Sequence, residues 1–209
     1  LLPGNLVSHD TSSRMVQDIF PIDTLGNYRR YYYRPATVVY NTVNSEKNFI
    51  QINRGSAQGI KDNMAVISSD GAVVGVVVNV SPNFSQVMSL LNVQNSLSAS
   101  LKRSGDFGTA EWDGKDTLKK IPKTVELKKG DTVLTSPVSF NYPPGYMIGT
   151  VTDMVLDNTT GMYRLKIRTA ANFHNLQQVH VIENADYAEQ MKLNQDTKKK
   201  MESTPKNPR

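Results

Sequence analysis

The fold is decided by residues 64–80, which read MAVISSDGAVVGVVVNV. Two runs rich in extended-chain formers, Met64–Ser68 and Ala72–Val80, flank the dipeptide Asp70-Gly71. Val and Ile favour strands, and Asp-Gly accepts the positive φ angles of a tight turn. The segment therefore predicts an antiparallel β-hairpin at the centre of an all-β domain.

Similar short runs recur on both sides of this hairpin, each bounded by turn-forming residues. The further predicted strands are Thr37–Tyr40, Asn48–Ile52, Gln86–Leu91, Leu97–Arg103, Phe107–Trp112, Thr132–Thr135, Met147–Leu156, Met162–Thr169 and Gln178–Ile182. No long helical pattern separates them, which argues against an α/β fold. We expect two small antiparallel β-barrel-like subdomains.

The pattern changes at both ends of the chain. Residues 1–35 lack a sustained period and are interpreted as a linker, with one helical turn near Ser13–Phe20. We expect a first β subdomain at 36–115, a second at 116–182 and a polar tail at 183–209 that includes a short helix over Ala185–Met201. Because the chain starts with Leu1, we expect it to be a fragment of a longer protein.

Composition excludes several classes of protein. The absence of cysteine excludes disulfides, thiol catalysis and cysteine-based metal sites. No run approaches the roughly 18–20 apolar residues of a spanning helix. The net charge of +5 would suit an acidic partner, but basic residues such as Lys128-Lys129 alternate with acidic ones, as on a solvated β surface. The sequence does not favour nucleic-acid binding, and the run Lys198-Lys199-Lys200 is interpreted as part of a solubilising tail.

A search for catalytic chemistry finds no convincing site. The three histidines, His9, His174 and His180, lack the spacing of metal ligands. Asp10-Thr11-Ser12 resembles an aspartic-protease tripeptide but lies in the predicted linker, where capping of a helical turn is the better interpretation. The segment Gly55–Gly59 leads into a strand, not the helix of a phosphate-binding loop. We predict no enzyme, no cofactor and no metal. A double-β-barrel hydrolase using His174 and His180 stays open as an alternative.

The cluster Tyr28–Arg34 is the most unusual local feature. Its rings either pack on the first barrel while the Arg side chains stay in water, or contact a protein partner, or stack on RNA bases. The candidate partner-binding residues are Tyr31, Tyr32, Tyr33, Tyr142, Pro143, Pro144 and Tyr146. The glycines assigned to backbone turns are Gly55, Gly59, Gly71, Gly130 and Gly145.

Several ordered motifs carry a resemblance to a known family. Residues 53–66, NRGSAQGIKDNMAV, resemble the turn-and-strand signature of the MreC family of bacterial rod shape-determining proteins. The segments GAVVGVV at 71–77, VSPNFS at 80–85, LKKGDTVLTS at 127–136 and YPPGYMIGTV at 142–151 agree with that family in order. The resemblance covers about Ala36–Ile182. Asn63 and Pro137 depart from it, because the family usually has glycine at both positions.

The resemblance implies a non-catalytic scaffold of the cell-elongation machinery. It implies a single-pass inner-membrane protein whose missing N-terminal helix and coiled coil precede this soluble part on the periplasmic face. Its implied partners are a peptidoglycan transpeptidase, the membrane protein MreD and the actin-like MreB system, and it implies self-association into homo-oligomers.

Overall fold

The structure is a computed structural model that describes residues 30–112, 117–122, 126–159 and 161–203. The strands are β1 Tyr31–Asn41, β2 Lys47–Ile52, β3 Ala65–Ser68, β4 Val73–Val80, β5 Ser85–Asn92, β6 Ser96–Leu101, β7 Phe107–Glu111, β8 Thr117–Pro122, β9 Thr132–Thr135, β10 Met147–Asp157, β11 Met162–Thr169 and β12 Gln178–Asn184. One α-helix, α1 at Tyr187–Ser203, follows them. The predicted all-β class is confirmed. No helix among the described residues is long and apolar enough to cross a bilayer.

The strands form two closed antiparallel barrels. Barrel 1 has the strand order β1-β12-β3-β4-β5-β2, and barrel 2 has the order β10-β11-β8-β7-β6-β9. Fully buried side chains such as Ile50 and Val87 fill barrel 1, and Leu101 and Leu165 are among those that fill barrel 2. Alternating apolar residues of each strand point into the barrel and are buried there. Each buried side chain of this size contributes about 1.5–3 kcal/mol, so these residues stabilise both cores.

The strand pairing divides the chain differently from the predicted boundary between residues 115 and 116. Strands β6 and β7 lie in barrel 2, where β6 pairs with β9 and β7 pairs with β8. Strand β12 lies in barrel 1 between β1 and β3. Barrel 2 is therefore inserted between β5 and β12 of barrel 1. Sequence patterns mark strands but do not specify pairings between residues more than a hundred positions apart, which explains the difference.

Two further predicted boundaries need correction, and one strand was not predicted. Strand β1 begins at Tyr31, inside the predicted linker 1–35, because residues 31–37 pair with β12. Strand β12 continues to Asn184, inside the predicted tail 183–209. The sequence pattern does not predict strand β8, since the polar sequence TLKKIP shows no clear alternation. The helical turn predicted near Ser13–Phe20 lies outside the described residues.

The predicted hairpin at Asp70-Gly71 joins β3 to β4, and Gly71 has a φ of 86°. Asn63, where the family usually has glycine, adopts a φ of 66°. Asn tolerates this left-handed conformation better than other residues that carry a Cβ atom. The turn is therefore retained despite the departure from the family pattern.

Candidate docking surface

The loop between β9 and β10 joins the barrels. Tyr142, on this loop, donates a hydrogen bond from its hydroxyl to the backbone oxygen of Gly75 in barrel 1. Asn141 donates from Nδ2 to the oxygen of Asn63 at 2.8 Å. Burial raises the pKa of Tyr142, so that its phenol stays neutral and can donate. These contacts fix the orientation of one barrel relative to the other.

The predicted partner residues lie mostly at this junction. The hydroxyl oxygens of Tyr33 and Tyr146 form a hydrogen bond at 2.8 Å, and both side chains are buried. Tyr31, Tyr142 and Pro143 are buried as well. Their side chains are therefore inaccessible to a partner in this structure, and those of Tyr33, Tyr142 and Tyr146 join the two barrels. Tyr32 is half-buried and Pro144 is exposed. Their partner role stays a prediction.

The arginines of the Tyr/Arg cluster behave differently from one another. Arg30 is exposed, pairs with Asp186 at 2.9 Å and lies 5.5 Å from the centre of the Tyr31 ring. Arg34 is buried and contacts a carboxylate oxygen of Glu183 at 2.6 Å. The expectation that these arginines stay in water is wrong for Arg34, because Glu183 compensates its charge inside barrel 1. With Tyr31 and Tyr33 buried, stacking of their rings on RNA bases is not possible in this structure.

The outer face of barrel 1 carries two rows of uncharged side chains across the neighbouring strands β1, β2, β5 and β4. The first row consists of Tyr40, Gln51, Gln86 and Asn79. The second row consists of Phe49, Met88 and Val76. Directly paired residues of antiparallel strands point to the same side of a sheet. The residues between the rows, such as Ile50 and Val87, are fully buried, which places both rows on the outside of barrel 1. Val76, at the end of the second row, faces a cavity against barrel 2.

Exposed apolar side chains border these rows. Val78 and Phe84 are 39% and 45% exposed, and Tyr40 within the first row is 58% exposed. The loop from Ser81 to Phe84 closes one side of a shallow recess that Gln51, Asn79 and Gln86 also line. We call the two rows, together with Val78 and Phe84, the uncharged face. It combines aromatic rings, Val, Met and amides, and Lys47 at the start of β2 is the charged residue beside Phe49 on the same side. Aromatic rings and Met are enriched at the centres of protein–protein interfaces, where charged residues are depleted.

The alternative of a hydrolase finds little support in the positions of its histidines. His174 is exposed on a short 3-10 turn, whereas His180 is half-buried in β12, where burial lowers its pKa. Nδ1 of His180 has no hydrogen-bond partner in the part of the chain that the structure describes. A catalytic base would need an orienting carboxylate there. Within the same residues, no group of three acidic or histidine side chains could hold a metal ion.

The uncharged face was not among the predicted sites. A signal for it exists in the sequence, because the alternate residues 49 and 51 and the alternate residues 86 and 88 are all uncharged. In the neighbouring barrel, by contrast, the alternate residues 164, 166 and 168 are all basic. Comparing the outward residues of each predicted strand would therefore have indicated this face.

Comparisons with known proteins agree with the resemblance found in the sequence. The family model "Rod shape-determining protein MreC, barrel core" matches residues 38–183. The cell shape-determining protein MreC of Listeria monocytogenes is 26% identical over 167 residues, covering 77% of this chain and 57% of that protein. The Escherichia coli protein of the same name is 27% identical over 155 residues, covering 72% and 42%. The chain spans about half the length of the curated relatives it matches.

Solved structures have the same fold. MreC of Listeria monocytogenes superposes with a TM-score of 0.68 at 26% identity, covering 74% of this chain and 77% of that one. The major periplasmic domain of the cell shape-determining filament MreC gives a TM-score of 0.64 at 21% identity, covering 76% and 99%. A chain of the complex between penicillin-binding protein PBP2 and MreC of Helicobacter pylori gives 0.59 at 15% identity, covering 74% and 99%.

Proposed function

Because this chain belongs to the MreC family of rod shape-determining proteins, we propose that it is a non-catalytic scaffold whose uncharged face binds a peptidoglycan transpeptidase. The observation that carries the proposal is the pair of uncharged rows on the outside of barrel 1. The exposed apolar surface of Tyr40, Val78 and Phe84 is costly to leave in water, and a docked partner would cover it.

The proposal of a transpeptidase as the partner is supported by the structural relative from Helicobacter pylori, which was solved in complex with PBP2. A second structural relative is a periplasmic domain, which supports a location on the periplasmic side of the inner membrane. Contacts with MreD and the MreB system, and self-association in the cell-elongation machinery, are proposed from the family resemblance and belong to the whole protein.

The mechanism that we propose is docking on a rigid support. The hydrogen bonds of Tyr33, Tyr142 and Tyr146 hold the barrels in one arrangement, so the uncharged face presents a fixed shape. A fixed surface loses little conformational entropy on binding. A transpeptidase that has several conformations shifts toward the one that fits this surface best. In our proposal that conformation is the active one, so docking favours the active arrangement of the enzyme.

The test is a binding measurement between the purified chain and the periplasmic part of a transpeptidase from the same bacterium. The variants are Tyr40→Ala and Phe84→Ala, whose side chains are 58% and 45% exposed. Truncating an aromatic side chain that is a hot spot of an interface costs about 2 kcal/mol or more, so we expect Kd to rise at least about 30-fold.

Phe107→Ala is the matched control, because Phe107 is 52% exposed on barrel 2, away from the uncharged face. It should leave Kd unchanged. Equal affinities for the native chain and for both variants of the uncharged face would contradict the assignment of this face. Failure of the native chain to bind the transpeptidase would contradict the proposed function itself.

A further inference from the structure

The outer surface of the β10–β11 hairpin in barrel 2 has a different chemistry from the uncharged face. Three register pairs place its side chains on one side of the sheet: Asp153 with Lys166, Val155 with Arg164, and Asp157 with Met162. Arg168 continues the same alternation beyond Lys166. We call these seven residues the hairpin face.

Basic residues dominate the hairpin face. Arg164, Lys166 and Arg168 are all exposed and make no ion pair with any residue in the described ranges. Alternate residues of a strand lie about 6.6–6.8 Å apart, so these three form a row of positive charge along β11.

The carboxylates beside this row already have partners. Asp153 binds Nζ of Lys129 at 2.9 Å, and this lysine is the largest cause of the lowered pKa of Asp153, to which the charge of Lys166 makes a small further contribution. Asp157 accepts a hydrogen bond from the backbone N–H of Thr159 at 2.9 Å. With Lys129 included, four cations face two carboxylates. The hairpin face therefore has a net positive charge, and its exposed basic side chains can bind an external anion.

Apolar side chains stand at the end of the same face. Val155 is 61% exposed and Met162 is 40% exposed. Both lie near the loop that connects β10 to β11, at the outer end of the hairpin. A row of basic residues with exposed apolar side chains at one end is the combination with which peripheral proteins contact an anionic bilayer, because charge attracts the headgroups and apolar groups enter the interface.

We propose that the hairpin face is a contact surface for a bilayer containing anionic phospholipids. Arg164, Lys166 and Arg168 contact the lipid phosphates, and Val155 and Met162 enter the headgroup region. A soluble polyanion would account for the basic row but not for the two exposed apolar residues. This inference is independent of the transpeptidase proposal, since it concerns the other barrel.

The test is sedimentation of the chain with vesicles made of phosphatidylglycerol and phosphatidylcholine in equal parts, compared with vesicles of phosphatidylcholine alone. The variant R164Q/K166Q/R168Q removes the row. Three basic residues near an anionic surface strengthen binding about 100-fold in total, so the variant should lose binding by that factor. Binding of the native chain should also fall as salt is added.

The matched control is K198Q/K199Q/K200Q, which removes the same charge from α1. It should retain more binding than the variant of the hairpin face. Equal losses in the two variants, or a loss in the α1 variant alone, would overturn the proposal in favour of a general charge effect or of a contact through the helix.

A second variant, V155S/M162S, separates a bilayer from a soluble polyanion. It should weaken binding to the anionic vesicles and leave binding to inorganic polyphosphate unchanged. A native chain that binds polyphosphate but not the vesicles would overturn the bilayer proposal, as would vesicle binding that this variant does not alter. Near-UV circular dichroism establishes that each variant is folded.

Discussion

The hydroxyl oxygens of Tyr33 and Tyr146 lie 2.8 Å apart across the junction of the two barrels. Tyr33 belongs to β1 of barrel 1, and Tyr146 immediately precedes β10 of barrel 2. Both side chains are buried, and burial raises the pKa of Tyr146, which keeps its phenol neutral. This contact joins residues 113 positions apart in the sequence, and with the hydrogen bonds of Asn141 and Tyr142 it fixes the orientation of one barrel on the other.

Tyr33→Phe should therefore destabilise the chain. The substitution removes the hydroxyl that pairs with the buried hydroxyl of Tyr146, and an unpaired buried polar group costs about 1–3 kcal/mol. Urea denaturation measures this loss in the free energy of unfolding. Tyr40→Phe is the control, because Tyr40 is 58% exposed and its hydroxyl can bind water. Equal stability of the two variants would show that the contact contributes nothing.

Glu183 should contribute much more to stability than the lysine beside it. One of its carboxylate oxygens binds Arg34 at 2.6 Å, and the other binds Lys61 at 2.9 Å. Glu183→Gln leaves the buried charge of Arg34 uncompensated, which costs about 3–5 kcal/mol. Lys61→Gln removes a largely exposed partner and should cost about 1 kcal/mol or less. Thermal or urea unfolding compares the two, and a larger loss from Lys61→Gln would refute this account.

Gly55→Ala should disturb the loop that presents Phe84. A Cβ atom at residue 55 would lie 2.1 Å from the backbone oxygen of Ser81 and 2.7 Å from the backbone nitrogen of Phe84. Neither backbone atom can move without displacing the loop. We expect a loss of about 1–3 kcal/mol in the free energy of unfolding, together with weaker binding at the uncharged face.

The control for this substitution is Gly105→Ala. Gly105 has a φ of 78°, but a Cβ atom there meets nothing within 4 Å. It should cost only the strain of a left-handed alanine, about 1–2 kcal/mol, without any change in transpeptidase binding. Identical effects of both substitutions on binding would mean that the position of the Phe84 loop does not matter.

Features that depend on neighbouring residues were predictable from the sequence, and features that depend on residues far apart in the chain were not. The Asp70-Gly71 hairpin was predictable because its signal is local. The placement of β12 in barrel 1 was not, because Tyr33 and Ile182 are register partners separated by most of the chain. The sequence of the Tyr/Arg cluster, Tyr28–Arg34, gives the residue types but does not indicate which of the side chains face the second barrel. The uncharged face depends on the pairing of β2 with β5, which are not consecutive in the sequence, so the sequence shows its individual strands but not their arrangement.

Arg103 should determine how barrel 2 responds to acid. Its Nε and one terminal nitrogen each bind a carboxylate oxygen of Asp131 at 2.9 Å, and the backbone N–H of Lys128 binds the same carboxylate. These contacts hold the pKa of Asp131 below its ordinary value, and the hydrogen bonds from Arg103 are the largest cause. In the unfolded chain the carboxyl titrates near its ordinary value of about 3.9.

The stabilisation from this carboxylate is therefore complete above about pH 4–5 and is lost as pH falls through the lowered pKa of the folded state. In Arg103→Gln the folded and unfolded pKa values lie closer together, so the free energy of unfolding should depend less on pH in this range. Denaturation series at neutral and acidic pH measure both slopes. Lys129→Gln, which removes the partner of the exposed Asp153, is a control that should change the slope less. A variant Arg103→Gln with the native slope would mean that the pKa of Asp131 is lowered mainly by the backbone of Lys128.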